Sequence, residues 1–157
     1  MSRNTLLSIT VWLVLAGIIY YLADSIQNPN KTYTLGNASS VVLKRGLDGH
    51  YRSEAVINGK KVNVLVDTGA TGVAISQATA DQLSLKSINA VRTNTANGDS
   101  VGYMVRLDSV KIGGVQAHNV AAMIAPGLDG DVLLGMSFLG RMDIRLYKGE
   151  MTITQVE

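Results

Sequence analysis

The chain has 157 residues, no cysteine and a formal net charge of +2. That length holds one domain and an appendage. The missing cysteines remove thiol catalysis, disulfide staples and thiolate metal sites, and a near-balanced charge with no basic stripe of interleaved aromatics gives nucleic acid nothing to bind.

Leu6 to Leu22 is apolar apart from Ser8 and Thr10. With Thr5 and Ala23 it is long enough to cross about 30 Å of hydrocarbon as a helix, and Tyr20 and Tyr21 suit the headgroup level at the far interface. A cleaved signal peptide needs small residues before the cut, but the exit Tyr21-Leu22-Ala23 is bulky there. A buried core helix would carry a polar face, and this stretch shows little of one. The reading is an uncleaved anchor over residues 1–23, with the lipid bilayer as partner through residues 6–22. Arg3 and the free amine precede the span and Asp24 follows it, which keeps the N-terminus cytoplasmic and sends the remainder across, into the periplasm of a bacterial cell.

Residues 24–48 are polar and rich in turn formers, and read as a tether in which Val41-Val42-Leu43 is a candidate strand. From 49 to 157 the pattern is β. Glu54 to Ile57 and Lys61 to Val66 flank Asn58-Gly59, a strong hairpin signal. The second of these strands runs straight into Asp67-Thr68-Gly69-Ala70. A carboxylate is thereby set at the end of a buried strand, with Gly69 expected to permit the turn and Thr68 supplying a hydroxyl and an N–H beside the acid. Val73 to Ile75 resumes a strand, and Ser76 caps a short helix over Gln77 to Leu83 with Ala80 and Leu83 inward. Ala90 to Thr95 and Val101 to Leu107 form a second hairpin across a polar tip at Ala96-Asn97-Gly98. Val110 to Ile112 and Val115 to Ile124 form a third around Gly113-Gly114. After the loop Pro126 to Gly130 comes a second apolar strand ending at glycine, Val132-Leu133-Leu134-Gly135, then a short helix from Met136 to Leu139. Ile144 to Tyr147 and Met151 to Thr154 close with a fourth hairpin. His50 and His118 lack ligand-like spacing and read as surface or loop residues, so no metal is implied.

Asp67-Thr68-Gly69-Ala70 followed by Leu133-Leu134-Gly135, with Ser76-Gln77-Ala78 and a hairpin at Thr95-Ala96-Asn97-Gly98, resembles the retropepsin-like aspartic proteases of the bacterial, single-pass membrane-anchored type. The likeness covers roughly residues 50 to 155. It implies an all-β closed barrel of the acid protease fold with one or two short helices, preceded here by a transmembrane helix. It implies Asp67 as the catalytic residue, Thr68, Gly69 and Ala70 as the active-site loop, and Thr95 to Gly98 as a flap. Leu133, Leu134 and Gly135 become the strand that supports the site, and no cofactor is required.

Amide hydrolysis by carboxylates needs two of them sharing one proton: the ionised member takes a proton from water and the protonated member hydrogen-bonds the substrate oxygen. The sequence contains a single Asp-Thr/Ser-Gly. The expected completion is a two-fold homodimer in which Asp67 faces the same residue of the partner, acting as an endopeptidase on protein or peptide substrates. Ala70 cannot donate a hydrogen bond to an ionised carboxylate, as Ser or Thr could, so the expected pH optimum is mildly acidic to near neutral. Met151 to Glu157 is a candidate intermolecular strand, as chain ends are in retroviral relatives. The alternative is a catalytically silent peptide-binding or scaffold module at the membrane.

Overall fold

A computed structural model describes residues 3–27, 39–95, 98–130 and 132–156. The first element is a helix, α1 (Arg3–Gln27). Its Thr5–Ala23 segment, 19 residues with a mean hydropathy of 2.2, is long and apolar enough to cross a membrane; at 1.5 Å per residue it extends about 28 Å. The tether reading falls partly on residues 28–38, which lie outside the described residues.

Ten strands and two short helices follow: β1 (Ser40–Lys44), β2 (Tyr51–Ile57), β3 (Lys60–Val66), β4 (Val73–Ile75), α2 (Gln77–Gln82), β5 (Ala90–Thr95), β6 (Gly98–Ile112), β7 (Val115–Ile124), β8 (Val132–Leu134), α3 (Met136–Leu139), β9 (Met142–Tyr147) and β10 (Glu150–Gln155). Strands β2-β3-β8-β4-β7-β6 lie side by side, and β6 returns to β2 through Val56 opposite Lys111 and Ile57 opposite Val110, which closes a barrel. The all-β closed barrel is therefore present, with β5 added outside it on β6. Two pairings are parallel, β3 with β8 and β4 with β7.

Alternation along each strand builds the core. Val62, Val64 and Val66 of β3 point inward between exposed or half-exposed neighbours, as a strand with one buried face requires. In β6 and β7 the inward set changes phase together. Leu107 and Val110 are buried opposite Val120 and Ala117, leaving two residues between them on each strand. Asn119 takes φ 53° there, and Arg141 donates to the carbonyls of His118 (2.7 Å) and Asn119 (3.2 Å). The hairpin β2–β3 turns on Asn58 (φ 48°) and Gly59 (φ 81°), the pair of left-handed residues that matches strand twist. Ser76 caps α2 by accepting from the Thr79 N–H at 3.3 Å, and Ala80 and Leu83 are buried as expected.

A second sheet has the order β1-β10-β9. Its first strand lies inside the stretch read as tether, with Val41 and Leu43 fully buried. The expectation of an intermolecular strand from Met151 onward is corrected here. β10 runs between β1 and β9, so both of its hydrogen-bonding edges are already taken; the open edges of this sheet belong to β1 and β9.

Candidate active site

The site begins where β3 ends. Parallel pairing with β8 continues one residue past the strand, the Asp67 N–H donating to the Leu134 carbonyl at 3.1 Å. This contact holds the backbone of Asp67 against the Leu133-Leu134 strand, whose Leu134 is fully buried. Beyond it the chain turns: the Ala70 N–H donates to the Asp67 carbonyl at 3.3 Å, and the Gly69 N–H donates to Asp67 Oδ1 at 2.8 Å. Asp67 is half-buried and Thr68 exposed.

Glycine at 69 has a different reason from the one expected. Its φ is not among the left-handed values of the chain, so the turn itself does not demand glycine. A Cβ there would stand 3.2 Å from Asp67 Oδ1. Missing bulk lets the N–H reach the carboxylate. Gly135 is needed more strictly, because a Cβ on it would lie 2.2 Å from the Gly72 carbonyl oxygen and 2.7 Å from that of Ala70. The Met136 N–H donates to the same Ala70 oxygen at 2.9 Å, so the start of α3 lies against the loop that follows Asp67.

Ser137 is a positioning residue that the sequence did not single out. Its Oγ accepts from the Val73 N–H at 3.0 Å and donates to the Ala121 carbonyl at 2.8 Å, tying α3 to β4 and β7 at once. A serine just after Leu-Leu-Gly was the available signal, but its partners lie 64 and 16 residues away.

Asp67 opens onto a groove of about 390 Å³, whose other sides come from Thr68, Tyr51, the β1–β2 loop and the β9–β10 turn. Beside it Leu146 and Tyr147 are 57% and 70% exposed, an apolar surface next to the carboxylate. Asp48, in the β1–β2 loop, has its carboxyl held below the usual carboxylate value by a hydrogen bond from Arg52 and then by the His50 N–H. Of the flap residues, Thr95 and Gly98 pair across the β5–β6 hairpin, while Ala96 and Asn97 lie outside the described residues. No described flap residue borders the groove at Asp67. His50 and His118 are both exposed, and the described residues contain no group of three or more His, Asp or Glu that could hold a metal.

The arrangement is one carboxylate at a strand end, a donor-lined turn around it and a groove leading away. Residues 53–141 match the profile of a family described as "gag-polyprotein putative aspartyl protease". A Sinorhizobium protein named only for its place in the cobV 5′ region is 36% identical over 66% of this chain, and an uncharacterised Rickettsia prowazekii protein is 35% identical over 64%. The chain spans less than half the length of these two relatives, 46% and 45%. Among solved structures, a retropepsin-like aspartic protease from Rickettsia conorii is similar with a TM-score of 0.65 and 27% identity, over 80% of this chain and 95% of that one. EIAV protease, solved with the inhibitor HBY-793, shares the fold at 20% identity and a TM-score of 0.51, over 60% of this chain and 88% of its own. By its strand order, its Asp67 turn and these similarities, the chain belongs to the retropepsin-like aspartyl protease family.

Proposed function

We propose that this protein is a membrane-anchored aspartic endopeptidase, formed when two copies bring their Asp67 side chains together across a two-fold axis. The observation that carries the reading is the Asp67 turn itself. Asp67 has its backbone held by Leu134 and its carboxylate held by the Gly69 N–H, opens onto a groove, and has no second carboxylate among the groove's described lining residues. One such group cannot both activate water and hydrogen-bond the substrate oxygen. A symmetric dimer supplies the second copy without a second motif.

In this reading one Asp67 is ionised and removes a proton from water as that water attacks the amide carbonyl. Its protonated counterpart donates to the carbonyl oxygen, and proton return to the departing nitrogen completes cleavage. Thr68, exposed at the tip of the turn, lies at the contact between copies. Gly69 holds its carboxylate, and the β5–β6 hairpin serves as the flap over an extended peptide. The helix over residues 6–22 anchors the chain with its N-terminus in the cytoplasm and the barrel in the periplasm. Confinement to a membrane plane raises the effective concentration of copies, so a dimer that is weak in solution becomes populated there.

The test is digestion of a peptide library by the full chain in detergent, with Asp67→Asn alongside and oligomeric state recorded. Cleavage by the parent, none by the folded variant and a dimeric mass are expected. Equal cleavage by the variant rules out the protease reading. Peptide binding without cleavage in both selects the silent binding module instead.

A further inference from the structure

We propose that the groove beside Asp67 receives an acidic side chain of the bound peptide, an aspartate or glutamate, held by Arg45 and Lys148; this rests on the peptide-cleft reading above. One end of the groove is built from two turns that grip each other. The Arg45 N–H donates to the Gly149 carbonyl at 2.8 Å, and Arg45 Nε donates to the Gly49 carbonyl at 2.7 Å. Arg45 is thereby held between the β1–β2 loop and the β9–β10 turn. Arg45, His50 and Lys148 all border the groove, and Asp67 is the sole carboxylate among its described lining residues.

Among the described residues neither Arg45 nor Lys148 takes part in an ion pair. The ion pairs among the described residues join Arg52 to Asp48, Lys61 to Glu54 and Arg145 to Asp143. Lys148 Nζ instead rests 5.3 Å from the centre of the Tyr147 ring. That contact orients the ammonium without neutralising it.

Lys148 also sits where a turn would not choose it. The β9–β10 turn, Lys148 (φ 47°) and Gly149 (φ 82°), repeats the geometry of Asn58 (φ 48°) and Gly59 (φ 81°) in the β2–β3 turn. Such a turn favours asparagine, aspartate or glycine at its first central position, because a long side chain in the left-handed region is strained. Asparagine occupies the turn that does not border the groove. Lysine occupies the one that borders it, and a strained residue at a site is a reason to look for its use. With two cations, Arg45 held by its hydrogen bonds and Lys148 over the Tyr147 ring, against one carboxylate, an acidic peptide side chain completes the charge balance that a neutral one leaves open.

The test measures binding apart from cleavage. Two fluorescein-labelled octapeptide pools, identical except for Glu or Gln scanned through each position, are titrated into full-length Asp67→Asn protein in detergent. At one or two positions the Glu pool should bind about fivefold more tightly, the contrast expected of one exposed ion pair, and the difference should shrink in high salt. It should vanish in a protein also carrying Arg45→Gln and Lys148→Asn, the latter chosen because asparagine suits the turn and preserves folding. Equal binding of the two pools, no binding of either, or a Glu preference that survives loss of both cations overturns the proposal. So does a dimer mass that changes with the cations while Glu and Gln pools bind alike, since that assigns the charges to the contact between copies. Wild-type cleavage with no acidic preference removes this inference and leaves the protease standing. A Glu preference in binding without cleavage by the wild type does the reverse.

Discussion

Gly135→Ala adds one methyl group at the tightest backbone approach around the site. Its Cβ would fall 2.2 Å from the Gly72 oxygen, 2.7 Å from the Ala70 oxygen and 2.9 Å from the Gly72 carbonyl carbon. A carbon approaches a carbonyl oxygen comfortably at about 3.3 Å, so the loop over Ala70–Gly72 and the start of α3 must separate by about 1 Å. All the obstructing atoms are backbone, and no rotamer change relieves them. Overpacking of this kind costs about 1–3 kcal/mol, and the upper end applies here. For a domain of this size, between the small and the large ranges, each kcal/mol lowers Tm by about 3–5 °C, giving a fall of about 9–15 °C in thermal unfolding followed by circular dichroism. The moved loop is continuous with Asp67, and a displacement of about 1 Å can cost about a hundredfold in rate. Peptide cleavage should therefore fall even where the variant is still folded. Gly127→Ala is the control: nothing lies within 4 Å of its Cβ and its φ is not left-handed, so it should stay within about 0.5 kcal/mol of the parent. A Gly135→Ala protein as stable and active as Gly127→Ala would refute the steric argument.

Three further outcomes are expected. Ser137→Ala strands the Val73 N–H and the Ala121 carbonyl, and should lower stability by about 1–3 kcal/mol in urea unfolding; an unchanged midpoint would show that Ser137 ties nothing together. Asp48 titrates below its ordinary 3.8 when folded, so its contribution is present above the unfolded value and is lost as pH falls through the lower folded one. Asp48→Asn should thus reduce Tm slightly at pH 7 and make no difference once pH lies below both values; an effect growing toward low pH would contradict the sign. On the dimer proposed above, a hydroxyl in Ala70→Ser that reaches the paired carboxylates should move the acid limb of the pH–rate profile to lower pH, whereas an unmoved limb would mean that it does not reach them.

Much of the barrel could be read from local chemistry. Asn58-Gly59 fixes a hairpin by its own backbone preference, Ser76 marks the start of α2, and two apolar strands ending at glycine proved to be neighbours, Val64 to Val66 beside Val132 to Leu134. Features set by distant partners were not legible. β1 has only Val41-Val42-Leu43 to distinguish it from a polar tether, and its identity comes from β10, more than a hundred residues later. The same pairing places β10 inside its sheet, which no pattern within Met151 to Gln155 reveals. Glycine was read at 69 as a turn residue, yet its φ is not left-handed and a Cβ there would crowd Asp67 Oδ1 at 3.2 Å. The requirement at Gly135 and the two hydrogen bonds of Ser137 likewise exist only once the Ala70–Val73 segment lies over α3. Of the site, the carboxylate and its turn were visible in the sequence. Arg45 and Lys148 were not, because two turns far apart in the chain bring them to one groove.

The most direct trial mixes wild-type chains with Asp67→Asn chains at constant total protein, lets subunits exchange in detergent, and records peptide cleavage against the wild-type fraction. If catalysis takes one Asp67 from each of two copies, only wild-type pairs act, and an equal mixture retains about a quarter of the full rate. A straight-line dependence, with about half the rate remaining, would mean that each chain works alone.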